Sequence, residues 1–228
     1  MINVENVKRT YIAGDLKVEA LRGVDLLIKK GEFISIAGPS GSGKTTLLNI
    51  IGCIDKLDGG KVSIEGQNVG DLSKLEKAAF RRNELGFIFQ SYNLIPVLSA
   101  FENVSFALSL INKNKKEVKE KTLALLREVG LEGMEDRRPS RLSGGQQQRV
   151  AIARALIKNP KIILADEPTA NLDSHTGEDI LKLMKEMNEK HQTTFIFSTH
   201  DRMVMDYARR LVLLHDGLVT EDTVKEGA

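Results

Sequence analysis

A glycine-rich loop between an apolar strand and a helix constrains this chain more than any other feature. The loop follows the short apolar run Phe33–Ala37 and opens the predicted helix Thr45–Gly52. It consists of Gly38, Pro39, Ser40, Gly41, Ser42, Gly43, Lys44 and Thr45, which match the pattern GxxxxGK[ST]. Glycines let successive backbone N–H groups turn inward around phosphate oxygens, and the helix N-terminus favours negative charge there. The strand–loop–helix context therefore predicts a binding site for the phosphates of a nucleotide.

Individual residues of the loop have distinct predicted roles. Lys44 is expected to reach the β- and γ-phosphates, and the hydroxyl of Thr45 is expected to bind Mg²⁺. Thr46 is counted with the nucleotide-binding residues, although its position favours a helix residue over a second metal ligand.

Carboxylates at the end of a second apolar strand suggest the other half of the site. The run Ile162–Asp166 ends in an aspartate, and Glu167 follows directly. Ligands of parallel α/β sheets bind at the carboxyl ends of strands, so we expect Asp166 to hold Mg²⁺ and Glu167 to polarise the attacking water. His200 follows another apolar strand, Thr194–Ser198, and is expected to contact the γ-phosphate or that water.

A second glycine-containing segment permits two interpretations. Ser143 is followed by Gly144, Gly145 and Gln146 at the start of a long predicted helix. Ser143 and Gln146 fit a capping box, which needs no ligand. The glycine pair also bares N–H groups at a helix N-terminus, which would make a second anion site. The two phosphate-binding segments would then meet within one molecule or face each other across a dimer.

The order of the predicted elements indicates an α/β protein. Strands alternate with helices at both ends of the chain, the first 65 residues are mostly strands, and a helical insert occupies the middle.

The single cysteine, Cys53, excludes an intramolecular disulfide framework and fits a small buried residue. A membrane-spanning helix needs about 20 mostly apolar residues in a row, and the sequence contains no such run. A net charge of +2 in 228 residues gives no reason to expect nucleic acid as a partner.

Taken in order, these motifs resemble the ATP-binding subunits of ABC transporters. The loop is similar to the Walker A motif, and Leu142–Gln146 has the family's signature LSGGQ. Other positions resemble the Q-loop (Gln90), the Walker B motif with the catalytic glutamate (Ile162–Asp166 and Glu167), the D-loop (Asn171–Asp173), and the switch histidine (His200). Tyr11 lies where the family stacks an aromatic ring on adenine.

The resemblance implies a P-loop NTPase (RecA-like) core with an antiparallel β subdomain and a helical subdomain. It implies one ABC-type domain, with the core in residues 1–90 and 159–228 and the helical subdomain in residues 91–158. It also implies catalysis by Glu167, His200, Gln90 and Lys44, with Mg²⁺ held by Thr45, Gln90 and Asp166. Two subunits would form a head-to-tail homodimer around ATP, which Ser143, Gly144, Gly145, Gln146 and Asp173 of one subunit would help to enclose.

The implied partner is an integral membrane permease, with the ATPase peripheral on the cytoplasmic face of the inner membrane. The segments Asn49–Asp55, Phe87–Pro96, Ser143–Leu156 and Asp166–Gly177 resemble the lipoprotein-release and macrolide-export group, of LolD and MacB type. The uncharged segment Gln90–Phe101 is the predicted permease contact, with burial in the helical subdomain as its alternative.

Several alternative functions stay open. The cell-division ATPase FtsE is a near relative of this group, and a regulatory module could use ATP as a switch with little turnover. An ABC-type ATPase acting on DNA or ribosomes is disfavoured, because the chain has no sustained heptads and only one set of motifs. A GTPase is disfavoured because no NKxD motif is present.

Overall fold

The computed structural model describes residues 1–14, 16–111 and 114–225. They form two compact units, the described parts of residues 1–81 with 194–228 and of residues 82–193. The strands are β1 (Ile2–Ala13), β2 (Leu16–Ile28), β3 (Phe33–Ala37), β4 (Gly59–Ile64), β5 (Gln67–Asn68), β6 (Leu85–Ile88), β7 (Ile162–Asp166), β8 (Thr194–Thr199), β9 (Arg210–His215) and β10 (Leu218–Val224). The helices are α1 (Lys44–Ile51), α2 (Lys74–Glu84), α3 (Ala100–Ser109), α4 (Lys115–Glu128), α5 (Gly144–Leu156), α6 (Ser174–His191) and α7 (Arg202–Tyr207), with a short 3₁₀ helix at Pro139–Arg141.

An antiparallel sheet in the first unit has the strand order β2-β1-β4-β5. Strands β1 and β2 form a long hairpin, from the pair Ile2 and Ile28 to the pair Ala13 and Leu16. Along the second half of β2, Leu21, Val24, Leu26 and Ile28 are buried. This alternation of apolar and exposed positions is the pattern of a strand with one buried face, and it explains why these residues form a sheet with one solvated side.

Parallel strands form the other core of the first unit. β3 lies between β8 and β9 and pairs in parallel with both. All five residues of β3 are buried, and its Phe33 packs against Phe197 and Phe195 with ring centroids 4.6 and 5.7 Å apart. Burial on both faces is why this strand is a continuous apolar run rather than an alternating one. The hairpin of β9 and β10 turns at Asp216 and Gly217, with φ angles of 46° and 74°.

The second unit joins two parallel strands to a largely helical segment. β6 and β7 pair from Leu85 with Ile162 to Ile88 with Ala165. Helix α5 approaches β6 closely, because a Cβ added at Gly86 would lie 2.8 Å from the carbonyl oxygen of Ala155. Side-chain caps from Ser99, Asn114, Ser143 and Asp173 begin α3, α4, α5 and α6.

The predicted α/β class is confirmed, and the boundaries of most predicted elements agree to within a few residues. Helix α2 is absent from the sequence prediction, although its Leu75, Ala78 and Ala79 follow helical spacing; none of its residues is fully buried. Cys53 is buried and unpaired, as predicted. The division into a core of residues 1–90 and 159–228 and a helical subdomain of residues 91–158 stays a prediction. None of the described helices has the length and apolarity needed to cross a membrane.

Candidate functional site

The predicted site residues form two groups, one in each unit. The first unit contains Tyr11, the loop residues 38–46 and His200. The second unit contains Gln90, the segment 143–146, Asp166, Glu167 and Asp173.

Backbone geometry in the glycine-rich loop requires glycine at several positions, of which Gly41 and Gly43 differ in the reason. Gly41 and Gly43 have φ angles of 81° and 104°, in the left-handed region that other residues rarely adopt. A Cβ at Gly43 would lie 2.4 Å from the carbonyl oxygen of Ala20, whereas a Cβ at Gly41 would meet no atom within 4 Å. Gly43 is therefore fixed by both conformation and packing, and Gly41 by conformation alone.

The polar groups of the loop suit an anion. The ammonium of Lys44 is buried and donates to the carbonyl oxygens of Gly38 and Pro39, both at 2.8 Å, so the side chain folds back over the loop. The hydroxyl of Ser42 is buried, and it has no hydrogen-bond partner within residues 1–14, 16–111 and 114–225. Helix α1 begins at Lys44, and the loop contains no acidic residue. An ammonium, an unpaired hydroxyl and a helix N-terminus are donors that fit phosphate oxygens.

Tyr11 is held by a charged cluster beside this loop. Its hydroxyl donates to Oδ2 of Asp55 at 2.6 Å, and the Arg9 guanidinium lies 4.5 Å from the centre of its ring. Arg9 also pairs with Asp55 at 2.9 Å and with Asp58 at 3.1 Å. Burial opposes the charge on Asp55, but the hydrogen bonds from Tyr11, the Lys56 backbone and Arg9 outweigh it, so the pKa of Asp55 is lowered. The tyrosine is thus anchored at its hydroxyl, and the Arg9 guanidinium covers one face of its ring.

A cavity of about 880 Å³ opens next to this cluster. Its walls include Arg9, Lys17 and Val18, and they reach Gly41 of the loop. Small-molecule sites in proteins have volumes of roughly 300–1,000 Å³. The cavity is therefore large enough for a nucleoside attached to phosphates in the loop.

His200 lies at the same edge of the parallel sheet as the loop. The last residues of β3 and β8, Ala37 and Thr199, pair with each other, so Gly38 and His200 follow neighbouring strand ends. The Thr199 hydroxyl accepts a hydrogen bond from the Asp201 N–H at 3.0 Å, which fixes the turn that presents the exposed His200.

Acidic and amide groups gather at the corresponding edge of the second unit. Asp166 ends β7, and Gln90 lies two residues beyond Ile88, which pairs with Ala165. Glu167 has a φ angle of 47°, a left-handed conformation that is unfavourable for glutamate and is typical of functional sites. Carboxylate, amide and hydroxyl oxygens are hard donors that Mg²⁺ prefers, so Asp166, Gln90 and Thr45 have the right chemistry for that ion.

The segment at the start of α5 forms the predicted capping box. The Ser143 hydroxyl accepts from the Gln146 N–H at 3.3 Å, and the Gln146 side chain accepts from the Ser143 N–H at 3.0 Å. Asp173 caps α6 by accepting from the Thr176 N–H and hydroxyl, and these bonds lower the pKa of Asp173. A Cβ at Gly145 would lie 2.6 Å from the Thr176 side chain. These residues therefore have structural roles, and their contact with nucleotide stays a prediction.

Gln148 is a site-supporting residue that the sequence analysis missed. Its side chain is fully buried, and its amide donates to the Pro168 carbonyl oxygen at 2.6 Å. This bond ties α5 to the turn that follows Glu167. One signal in the sequence could have identified it. Gln148 lies three residues after Gly145, on a face of the predicted helix that is buried, and a buried amide needs a hydrogen-bond partner.

Comparison with known proteins gives a consistent family assignment. A sequence model of the family described as ABC transporter matches residues 21–170. The chain is 45% identical to the macrolide export ATP-binding/permease protein MacB of Syntrophobacter fumaroxidans, over 98% of this chain and 32% of that protein. It therefore spans about a third of the length of that relative.

A second relative matches over its whole length. The chain is 47% identical to the uncharacterized ABC transporter ATP-binding protein MJ0796 of Methanocaldococcus jannaschii, over 100% of this chain and 98% of that protein. A solved dimeric structure of that cassette, in a post-hydrolysis state bound to ADP and Pi, superimposes with a TM-score of 0.91, 46% identity and full coverage of both chains.

Proposed function

The chain belongs to the ABC transporter family, and we propose that it is the ATPase subunit that powers a membrane permease of the macrolide-export or lipoprotein-release type. The observation that carries the proposal is the glycine-rich loop of the first unit. There the Lys44 ammonium, the unpaired Ser42 hydroxyl and the N-terminus of α1 offer donors to a polyphosphate. The adjoining cavity has room for a nucleoside; Tyr11 is not among its lining residues and is anchored by Asp55 in the same unit.

The hydrolytic roles follow from the chemistry of the side chains. Glu167 orients and polarises the attacking water, and its strained left-handed backbone is of a kind that clusters at active sites. Thr45, Gln90 and Asp166 would hold Mg²⁺, which neutralises charge on the phosphates when it is bound. His200 contacts the γ-phosphate or the water from the end of β8.

Dimerisation is part of the proposed cycle. Gly144 and Gly145 place backbone N–H groups at the N-terminus of α5, beside the capping box of Ser143 and Gln146. We propose that this segment of one subunit closes over ATP bound to the loop of a second subunit. Nucleotide would then shift the equilibrium toward the closed dimer by its higher affinity for that state.

An exposed apolar segment beyond Gln90 is the proposed permease contact. Ile95 and Val97 are 38% and 67% exposed, and Pro96 lies between them. Phe106 and Leu110 of the same unit are each half exposed. Exposed apolar groups of this kind mark protein interfaces, and the permease would hold this ATPase at the cytoplasmic face of the inner membrane.

The substitution Glu167→Gln tests this function. It keeps the size of the side chain and removes the base, so we expect turnover to fall by about 10²–10⁴-fold. Because this variant hydrolyses ATP slowly, its ATP-bound dimer should accumulate. Size-exclusion chromatography with light scattering measures the fraction of dimer. Glu186→Gln, an exposed site on α6, is the matched control and should behave as wild type.

Two outcomes would contradict the proposal. Wild-type turnover by Glu167→Gln would remove Glu167 from catalysis. A wild-type chain with ATP affinity but negligible turnover would favour a regulatory switch instead.

A further inference from the structure

Two consecutive residues just beyond Gln90 adopt an unfavourable backbone conformation. Tyr92 and Asn93 have φ angles of 59° and 48°, and neither is glycine. Left-handed conformations are tolerated by asparagine but are rare for bulky residues such as tyrosine. Such a pair persists only where surrounding contacts hold it in place.

The contact that holds this pair comes from α5. The guanidinium of Arg154 donates one N–H to the Asn93 carbonyl oxygen and another to the Tyr92 carbonyl oxygen, the latter at 2.7 Å. The planar fork of arginine matches two neighbouring acceptors. Among the described residues, no ion pair joins Arg154 to a carboxylate, and burial lowers the pKa of Arg154. The partly buried guanidinium of Arg154 therefore donates to two neutral carbonyl groups. Removing this charge from water without a carboxylate partner costs free energy.

Further hydrogen bonds connect the held pair to the predicted catalytic residues. The Tyr92 hydroxyl donates to the Asn171 carbonyl oxygen at 3.4 Å. The Asn171 side chain donates to the Gln90 carbonyl oxygen at 2.9 Å. A chain of contacts thus runs from Arg154 through Tyr92 and Asn171 to Gln90, entirely within the second unit.

Arg154 also faces the outer surface of the unit. It lines a cavity of about 200 Å³ with Asn93, Phe87, Phe89 and Ala107. The two phenylalanine rings are stacked, with centroids 5.9 Å apart. The held pair is separated from the exposed Ile95 by only one residue. One guanidinium therefore contacts both a surface cavity and the backbone that leads to Gln90.

We propose that Arg154 is a positioning residue that holds Tyr92 and Asn93 in the left-handed conformation and thereby fixes Gln90 and Asn171 for hydrolysis. The inference rests on the proposed ATPase function, because it assigns a role to Gln90 in that reaction.

The first test is Arg154→Lys, which keeps the charge but loses the two-pronged geometry. We expect kcat to fall by about tenfold or more, because small misplacements in an active site have large effects on rate. The KM for ATP should stay near the wild-type value, because the glycine-rich loop lies in the other unit. Arg149→Lys on the same helix is the matched control, since Arg149 donates to the Val129 carbonyl oxygen instead, and its kcat should be unchanged.

The second test separates positioning from general packing. Glycine adopts positive φ without strain, so adding Asn93→Gly to Arg154→Lys should restore much of kcat. Amide hydrogen exchange of residues 91–97 should be faster in Arg154→Lys than in the wild type and in Arg149→Lys, because the contact that holds this segment is lost. The single variant Asn93→Gly is the reference for the kcat of the double variant.

The outcomes distinguish this inference from the proposed function. A wild-type chain without ATPase activity would overturn the proposed function. An active wild type with unchanged kcat in Arg154→Lys would overturn only the role of Arg154. Loss of kcat without faster exchange at residues 91–97, or without recovery in the double variant, would also overturn it.

Discussion

At the scale of single residues, the predicted ligand-binding side chains are held by partners within the protein. Asp55 and Arg9 anchor Tyr11, Thr176 binds Asp173, and Gln146 binds Ser143. Groups fixed in this way lose less conformational entropy when a ligand binds. The anchoring residues are therefore expected to affect nucleotide affinity without touching the nucleotide.

Asp55→Asn tests this expectation at Tyr11. The variant keeps its size but loses the charge that pairs with Arg9, so the tyrosine should lose its orientation. Loss of about 1 kcal/mol of interaction corresponds to a rise of roughly fivefold in the KM for ATP, with kcat unchanged. Affinity for inorganic tripolyphosphate, which lacks the base, should not change. Asp71→Asn, an exposed aspartate of the same unit, is the control.

An equal loss of tripolyphosphate affinity would contradict this role for Asp55.

The lowered pKa of Asp55 also sets how the stability from its cluster depends on pH. The carboxylate stays charged above its ordinary pKa of about 3.9, so the cluster contributes stability through the neutral range. That contribution is lost as the pH falls through the lowered, folded-state pKa.

At the scale of elements, close packing of α5 on β6 supports the catalytic edge of the second unit. Ala151 and Ala155 are small buried residues four positions apart on one face of α5, and Gly86 adds no side chain to β6 where the Ala155 carbonyl oxygen approaches it. The helix backbone can therefore approach the strand that leads to Gln90. The same helix carries Gln148 and Arg154, whose amide and guanidinium bind the turns after β7 and β6.

Gly86→Ala should separate these elements. Its Cβ would lie 2.8 Å from the Ala155 carbonyl oxygen and 3.0 Å from the Ile163 side chain, and neither can move freely. We expect destabilisation of about 1–3 kcal/mol, seen by calorimetry as a lower unfolding temperature. Gly59→Ala is the matched control, because its Cβ would meet nothing closer than 3.7 Å. Equal unfolding temperatures for both variants would contradict the close packing.

At the scale of the whole molecule, the proposed function requires partners that this chain does not contain. The segment 143–146 is proposed to close over nucleotide bound to a second subunit, and no described helix can span a membrane. The named relative that spans about three times this length is an ATP-binding/permease protein. The exposed segment around Val97 is the surface that we propose contacts the permease.

A cysteine at Val97 can test that surface. Cys53 is buried, so Val97→Cys introduces an accessible thiol without a competing one. In native membranes, a photoactivatable label at this position should cross-link to an integral membrane protein, identified by mass spectrometry. Leu75→Cys should not cross-link, although position 75 is more accessible, with Leu75 85% exposed and Val97 67% exposed. Identical cross-linking patterns at the two positions would count against the proposed contact.

The sequence alone determined the features that depend on short spacing. The glycine pattern at residues 38–45, the carboxylates 166 and 167 after an apolar run, and the alternating half of β2 are local signals. Each arises because a backbone conformation or a strand face needs particular residue types a few positions apart. These signals were sufficient to predict the α/β class, the phosphate loop and the capping box at Ser143.

Only the tertiary structure decided how those features are held in place. Arg154 binds the Tyr92 carbonyl oxygen 62 residues away, Arg9 binds Asp55 across 46 residues, and Gln148 binds Pro168 across 20. Two of these acceptors are backbone carbonyl groups, which every residue carries, so no sequence pattern marks them. The partner of a buried polar side chain is chosen by which elements pack together, and that choice is made by the fold.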